Sequence, residues 1–397
     1  MNKHFLKKTS VIALGAVLWT SAQTTSAQTL SQDQALSTIL SNNPSLKAMS
    51  GSGVAETILA RGAGQLSGPE LEGEYMFNSK GGHNKWGVGI SQKFQWPSSY
   101  KAQREAARAQ AEIATTQYII QRKDLEQQAR LTIAQGVYAQ AQLDILLSLE
   151  KNLDSVASSI EYGYNHGQLT ILDLKKIKLE KFKLQHQIKT LTNDISEIQD
   201  KLAEMAATPG LTVDLKAYSP LPLQSIDEYL KYADGAPEVS LAQQQADVAR
   251  LKARAESLSR NPELGIGYRH AYEDGTHFNG LSISIGLPSW GHNYNKDYEN
   301  SMEQVSRILS QDLTGSIKAI INNHYHTAVD MQSIMKEYNN VVLDSEYPEL
   351  WIMAYNGGQI NVITLVQELN YYIEATFQYL DSDYRYRQAL IYLHRYQ

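Results

Sequence analysis

The sequence predicts a mainly α-helical protein with a small β part, built as two tandem copies of one helix–strand–helix unit. Three observations carry this: a long-period internal repeat, two segments of period-2 alternation, and helical tracts of unusual length. Pro44 stands in Asn42-Asn43-Pro44-Ser45-Leu46, and Pro237 stands 193 residues later in Ala236-Pro237-Glu238-Val239-Ser240-Leu241. Pro69-Glu70-Leu71 returns at the same offset as Pro262-Glu263-Leu264, and Gly87-Val88-Gly89-Ile90-Ser91 returns as Gly280-Leu281-Ser282-Ile283-Ser284. Tyr164-Asn165-His166-Gly167-Gln168 matches Tyr355-Asn356-Gly357-Gly358-Gln359 at an offset of 191. A register held through about 120 residues of each copy indicates two equivalent halves, about 28–222 and 223–397, and not a short-period solenoid.

The chain opens with an address. Lys3, Lys7 and Lys8 precede an apolar run from Val11 to Trp19, and Thr25-Ser26-Ala27 offers small residues for cleavage, so residues 1–27 read as a signal peptide and 28–397 as the mature chain. Removing those three lysines takes the formal charge from -6 to -9, which argues against a nucleic-acid partner. Cysteine is absent, which excludes disulfides, thiol catalysis, cysteine metal sites and a lipid anchor on cysteine. No stretch after the leader has the roughly 18 or more uninterrupted apolar residues of a membrane helix, so any spanning falls to strands.

Ser31 to Gln65 and Ser225 to Arg260 read as helices leading into each strand pair. In the first pair Leu71, Gly73, Tyr75 and Phe77 alternate with Glu70, Glu72, Glu74 and Met76; Gly81-Gly82-His83-Asn84 turns the chain; Trp86, Val88, Ile90, Phe94 and Trp96 share the returning face. In the second pair Leu264, Ile266, Tyr268 and Tyr272 alternate with Glu263, Gly265, Gly267 and Arg269, the turn is Asp274-Gly275, and Leu281, Ile283, Ile285 and Leu287 return. Period-2 alternation around turn residues is a hairpin signal. Two readings stand: an ordinary half-buried hairpin in a soluble domain, or strands of a membrane barrel. Arms of about 10 residues, aromatic residues near their ends, small or charged residues on the other face and a signal peptide favour the barrel. Four strands cannot close one, since small membrane barrels need about eight, so the barrel must be shared between subunits.

The helical tracts follow. Ser98 to about Glu161 holds no proline and only Gly136 as an interruption, a rod of roughly 95 Å at about 1.5 Å per residue. The second copy predicts the same from about His292 to Ala354. Leu174, Ile177, Leu184, Ile188, Leu191, Ile195, Ile198, Leu202 and Met205 form a heptad seam broken at Lys181, and these are packing positions. Each tract ends at a Tyr-Asn-x-Gly-Gln bend and restarts, giving two antiparallel helical hairpins. Pro209-Gly210 and Pro220-Leu221-Pro222 mark the join of the halves.

This doubled order, from signal peptide through Thr29-Leu30, Ala35-Leu36 and Asn42-Asn43-Pro44 to hairpin, Ser91-Gln92-Lys93-Phe94, long helix, bend and heptad helix, resembles the TolC family of outer-membrane efflux channels over essentially the whole mature chain. Tyr355 to Ile363, with Leu369, Tyr371 and Tyr372, is most similar to the heavy-metal efflux branch. The resemblance implies TolC-like helical hairpins forming an α-barrel, and a homotrimer in which each protomer gives four strands to a 12-stranded β-barrel in outer-membrane lipid. It implies the outer membrane of a Gram-negative bacterium, with a tunnel extending into the periplasm, and a tripartite partnership with a periplasmic adaptor (membrane fusion protein) and an inner-membrane efflux pump. It also implies that adaptor hairpins meet the bends, at Tyr164, Asn165, Gly167, Gln168, Tyr355, Asn356, Gly358 and Gln359. Helix-bend chemistry alone also accounts for these residues. Matching backwards from Tyr355 puts Glu349 where family members carry a lumen-facing acid, with Asp344 and Glu346 on nearby turns. A solvated outer face is the alternative for all three. Pro348 is expected to kink the helix there as a hinge.

No phosphate loop, dinucleotide fingerprint, zinc-protease pair or nucleophile elbow occurs, so no enzyme, cofactor or metal site is expected. His324 and His326 lie two apart on a helix and point about 200° from each other, which does not suit one ion. Two other functions share part of the pattern: a type I protein-secretion channel, and a non-channel periplasmic coiled coil with soluble strand pairs.

Overall fold

The computed structural model describes residues 29–79, 81–287, 290–339 and 347–397. The leader, residues 1–27, lies outside them. The chain runs β1 (Thr29–Leu30), α1 (Gln32–Asn42), α2 (Pro44–Gly62), β2 (Glu70–Met76), β3 (Lys85–Phe94), α3 (Pro97–Asn165), α4 (Ile171–Met205), β4 (Thr212–Val213), α5 (Ile226–Ala233), α6 (Pro237–Leu258), β5 (Glu263–Glu273), β6 (Thr276–Gly286), α7 (Tyr294–Asn339), α8 (Tyr347–Asn356) and α9 (Val362–His394). From α1 to α4 and again from α5 to α9, short helix, helix, hairpin and long helical hairpin follow in the same order.

The helices that open each copy differ from the expected single rods. The first breaks at Asn43, whose side-chain oxygen accepts from the amides of Ser45 (3.0 Å) and Leu46 (3.2 Å) and caps α2, while its amide donates to the Met205 carbonyl at 2.9 Å. Pro44 at the first helical position needs no amide partner, so the Asn-Pro pair restarts the helix. The second copy breaks in the same place, between Ala233 and Pro237.

α3 runs unbroken for 69 residues and packs antiparallel on α4. Of the heptad positions, Leu174, Ile177, Leu184, Ile198, Leu202 and Met205 are buried, and Lys181, which breaks the seam, pairs with Asp154 at 2.6 Å. Gly136 lets the join of the halves approach α3 closely: a Cβ there would lie 2.9 Å from the Leu215 methyl groups. Three apolar clusters are strung along the rods. One ties α1, α3 and α4 to the join of the halves, one gathers the C-terminal part of α3 with α4, α8 and α9, and one joins α5, α7 and the end of α9. β1 pairs in parallel with β4, Thr29 beside Thr212, which straps the start of the chain to the join. Gln32 reinforces it by donating to the Asp214 and Ala217 carbonyls and accepting from Ser219.

The remaining strands form one antiparallel sheet in the order β2-β3-β5-β6. Each copy supplies one hairpin, and the seam between copies is β3 against β5, with Ile90 opposite Tyr268 and Trp86 opposite Tyr272. Asp274 (φ 47°) and Gly275 (φ 79°) make the two-residue turn of β5–β6 in the left-handed conformation that such hairpins require.

Candidate functional site: the paired bends and the exposed sheet

The two bends are built alike. In the first, the Gln168 amide donates to the Gly163 carbonyl at 2.8 Å and the Gly167 amide to Tyr164 at 3.0 Å; in the second, Gln359 donates to Ala354 at 2.8 Å and Gly358 to Tyr355 at 3.0 Å. This is the Schellman pattern, with Gly167 (φ 74°) and Gly358 (φ 68°) at the left-handed position where a side chain would strain the backbone. Leu169 covers Gly163, where a Cβ would meet it at 2.9 Å. The chain then restarts under a cap. Thr170 and Asp173 form a reciprocal capping box for α4, and Asn361 accepts from the Thr364 amide at 2.9 Å at the start of α9.

Tyr164, Leu169, Tyr355 and Ile360 all pack on one apolar cluster, which puts both bends at the same end of the molecule. The capping hydrogen bonds from Thr170 hold the Asp173 carboxyl below its usual range. Burial, aided by the Asp173 charge, raises the Tyr355 phenol, so the first bend's acid sits beside the second bend's tyrosine. Asn165, Gly167, Gln168, Asn356, Gly358 and Gln359 are exposed, while Tyr164 and Tyr355 are half-buried. The tyrosines anchor the bends, and the amide side chains are left on the surface.

Glu349 is exposed on α8. Two positions on, Trp351 is buried among Leu149, Leu153 and Val156 of α3 and Leu365 and Leu369 of α9, with its ring 5.6 Å from Tyr372. Residues two apart on a helix point about 200° from each other, so Glu349 faces away from the core that Trp351 enters. Asp344 and Glu346 lie outside the described residues, as does the kink expected at Pro348, which is the second residue of α8. His324 stacks on Tyr392 with centroids 4.2 Å apart and burial lowers its pKa, whereas His326 is exposed. The two do not face one point. The signal for the Trp351 anchor is a lone tryptophan four residues before Tyr355; its contact with both hairpins has no local signal.

The sheet inverts the usual order of burial. Leu71, Tyr75, Val88, Ile90, Leu264, Ile266, Tyr268, Leu281, Ile283 and Ile285 lie on one face by strand register and are 41–85% exposed. The opposite face carries Gly87, Gly265 and Gly267, all buried, together with the ion pairs Lys93–Glu70 (2.9 Å), Lys85–Glu273 (3.1 Å) and Arg269–Glu74. Aromatic residues cluster at the turn end of the apolar face, where Trp86 stacks on Tyr272 and Tyr75 meets Phe77 edge-on. The hairpin turns are held side by side by His83 and Asp274 at 2.8 Å. A contiguous apolar face of this size, left exposed, is a surface made for another apolar medium or partner.

No protein-family model and no curated protein matches the chain. Solved structures do. A membrane protein from Pseudomonas aeruginosa is 12% identical with a TM-score of 0.76, the match covering 92% of this chain and 89% of that one. The open state of the Neisseria gonorrhoeae MtrE outer membrane channel is 15% identical at a TM-score of 0.73, covering 92% and 88%. The Vibrio cholerae outer membrane protein VceC is 12% identical at 0.69, covering 90% and 95%. The chain therefore has the fold of a TolC-type outer-membrane channel protomer: long helical hairpins carrying a four-stranded antiparallel sheet.

Proposed function

We propose that the protein is the outer-membrane channel of a tripartite efflux system. The observation that carries this reading is the two-faced sheet, one face apolar and exposed, the other lined by glycine, serine and paired charged residues. Strands of 7, 10, 11 and 11 residues suit a bilayer crossed at a tilt. The outer edges of the sheet, β2 and β6, have no strand partner among the described residues, and an open edge in lipid leaves backbone amides and carbonyls unsatisfied. Three copies joined edge to edge would close 12 strands into a barrel and abolish both edges. The helical hairpins then continue below it into the periplasm, and their paired bends form the far end. There, exposed Asn165, Gln168, Asn356 and Gln359 on rigid glycine turns offer amide groups to the hairpins of a periplasmic adaptor. An inner-membrane pump supplies the cargo, the signal peptide directs export, and Pro348, in the first turn of α8, is the joint at which this end opens.

Expression of the full chain followed by membrane fractionation tests the reading. The protein is expected in the outer-membrane fraction and, after detergent extraction, at the mass of three chains. A soluble periplasmic monomer would overturn it.

A further inference from the structure

The apolar face of the sheet carries a polar cluster near one of its turns. Near the β5–β6 turn, Tyr268 and His270 of β5 share that face with His277 and Asn279 of β6. The register sets His270 opposite Asn279 and Tyr272 opposite His277, so the two histidines are diagonal neighbours across the strand pair. The Tyr268 hydroxyl donates to Asn279 Oδ1 at 2.7 Å, and His270 Nδ1 lies 2.8 Å from the same oxygen. An amide oxygen only accepts, so His270 carries its proton on Nδ1 and keeps the lone pair on Nε2. That Nε2 faces Nδ1 of His277 at 3.3 Å, and the rings lie 5.3 Å apart at 28°.

A tetrahedral ion with metal–nitrogen bonds of about 2.0–2.1 Å holds two imidazole nitrogens about 3.3–3.4 Å apart. We propose that His270 Nε2 and His277 Nδ1 form a two-imidazole chelate for a divalent transition ion of the zinc, copper or nickel class. Binding exchanges the hydrogen bond between the rings for two coordinate bonds. His277 moves its proton from Nδ1 to Nε2 through solvent, so no net proton is released. The Asn279 contact is the outer-shell bond that fixes the His270 tautomer and aims its free nitrogen, and Tyr268 in turn fixes Asn279. The donors are imidazoles without a carboxylate, which selects against calcium and magnesium. No group of three or more histidine or acidic ligands occurs among the described residues, so water completes the coordination. An ion held here ties β6, at the edge of the sheet, to β5. The assignment rests on these four side chains and is independent of what the channel carries.

Trp86 reports on the site, since its ring lies 5.7 Å from that of His270. The detergent-extracted full chain is titrated with Ni²⁺ while tryptophan fluorescence is followed. Saturable quenching with one ion per chain is expected, and Zn²⁺ should compete it away. His270→Gln and His277→Gln should each abolish saturable quenching, and Asn279→Ala should weaken it about 10- to 100-fold. Pulsed electron paramagnetic resonance of the Cu²⁺-loaded wild-type protein adds a measurement that no variant's folding can confuse, with couplings from two imidazoles expected. Wild-type quenching in the His270→Gln/His277→Gln double variant, or a copper spectrum with fewer than two imidazoles, overturns the proposal.

Discussion

Tyr164 and Tyr355, 191 residues apart in the chain, occupy one position in two copies of the same turn: each carbonyl accepts from the glycine three residues on, at 3.0 Å in both. Their rings enter the same apolar cluster, so the duplication is expressed as contact between the copies.

The two glycines should answer alike to substitution. Gly167 and Gly358 have open space where a Cβ would go, so the cost of Gly167→Val or Gly358→Val is conformational and not steric. A β-branched residue forced into that region should lose about 1–3 kcal/mol. Thermal melts of each variant should show the loss, and adaptor pull-down should weaken with it if the bends are the docking surface. Melts unchanged in both variants would mean that the bends readjust without strain.

Opposite faces of β6 should tolerate charge differently. Ile283 is 80% exposed on the apolar face, and Ser282 lies on the other. In a bilayer Ile283→Lys should cost about 2–4 kcal/mol near the midplane, while Ser282→Lys faces water inside a barrel and should cost far less. Urea titrations of protein refolded into vesicles measure both. Equal costs would place the sheet in water.

How much of this was legible follows from how local each signal is. The Asp274-Gly275 turn and the period-2 arms fixed strand, face and register, because side-chain direction in a strand has a period of two and a two-residue turn leaves no slack. That register also pairs His270 with Asn279, so the imidazole cluster was readable in principle. Each of its residues, however, stands singly in a run dominated by apolar alternation, and nothing local sets it apart. The bends were readable because only glycine suits the left-handed position. The β1–β4 strap was not: strands of two residues carry no period, and their partners lie 183 residues apart. The break at Asn43 has only the Asn-Pro pair as its signal, and flanking helical propensity outweighs one residue's capping geometry.

His324 should give part of the stability a dependence on pH. Burial against Tyr392 lowers its pKa, so the unfolded chain binds its proton more readily than the folded one. The folded state keeps the full benefit above the unfolded value of about 6.5 and loses it as pH falls through that value toward the lower folded one. His324→Phe preserves the stack and removes the titration. Melting temperatures of wild type should therefore fall more steeply than those of His324→Phe below about pH 6.5. Parallel curves would assign the acid sensitivity to other groups.

The last prediction concerns Glu349. Trp351 fixes one side of α8 in the core between α3 and α9, and Glu349 leaves from the other side, exposed. In a trimer whose helices surround one axis, three copies of that carboxylate would form a ring at the far end of the tunnel, where like charges attract cations and repel anions. Glu349→Gln removes three charges with little change in shape. Because the side chain makes no core contact, its melting temperature should stay within about 0.5 kcal/mol equivalent of wild type, as for ordinary surface substitutions. Planar-bilayer recordings in a potassium chloride gradient should then show a reversal potential shifted toward zero. Glu368→Gln on α9, another acid on a helix of the same end, serves as the comparison. A reversal potential unchanged in the Glu349 variant removes this residue from the constriction, and a shift in both variants makes the selectivity a property of total charge and not of one ring.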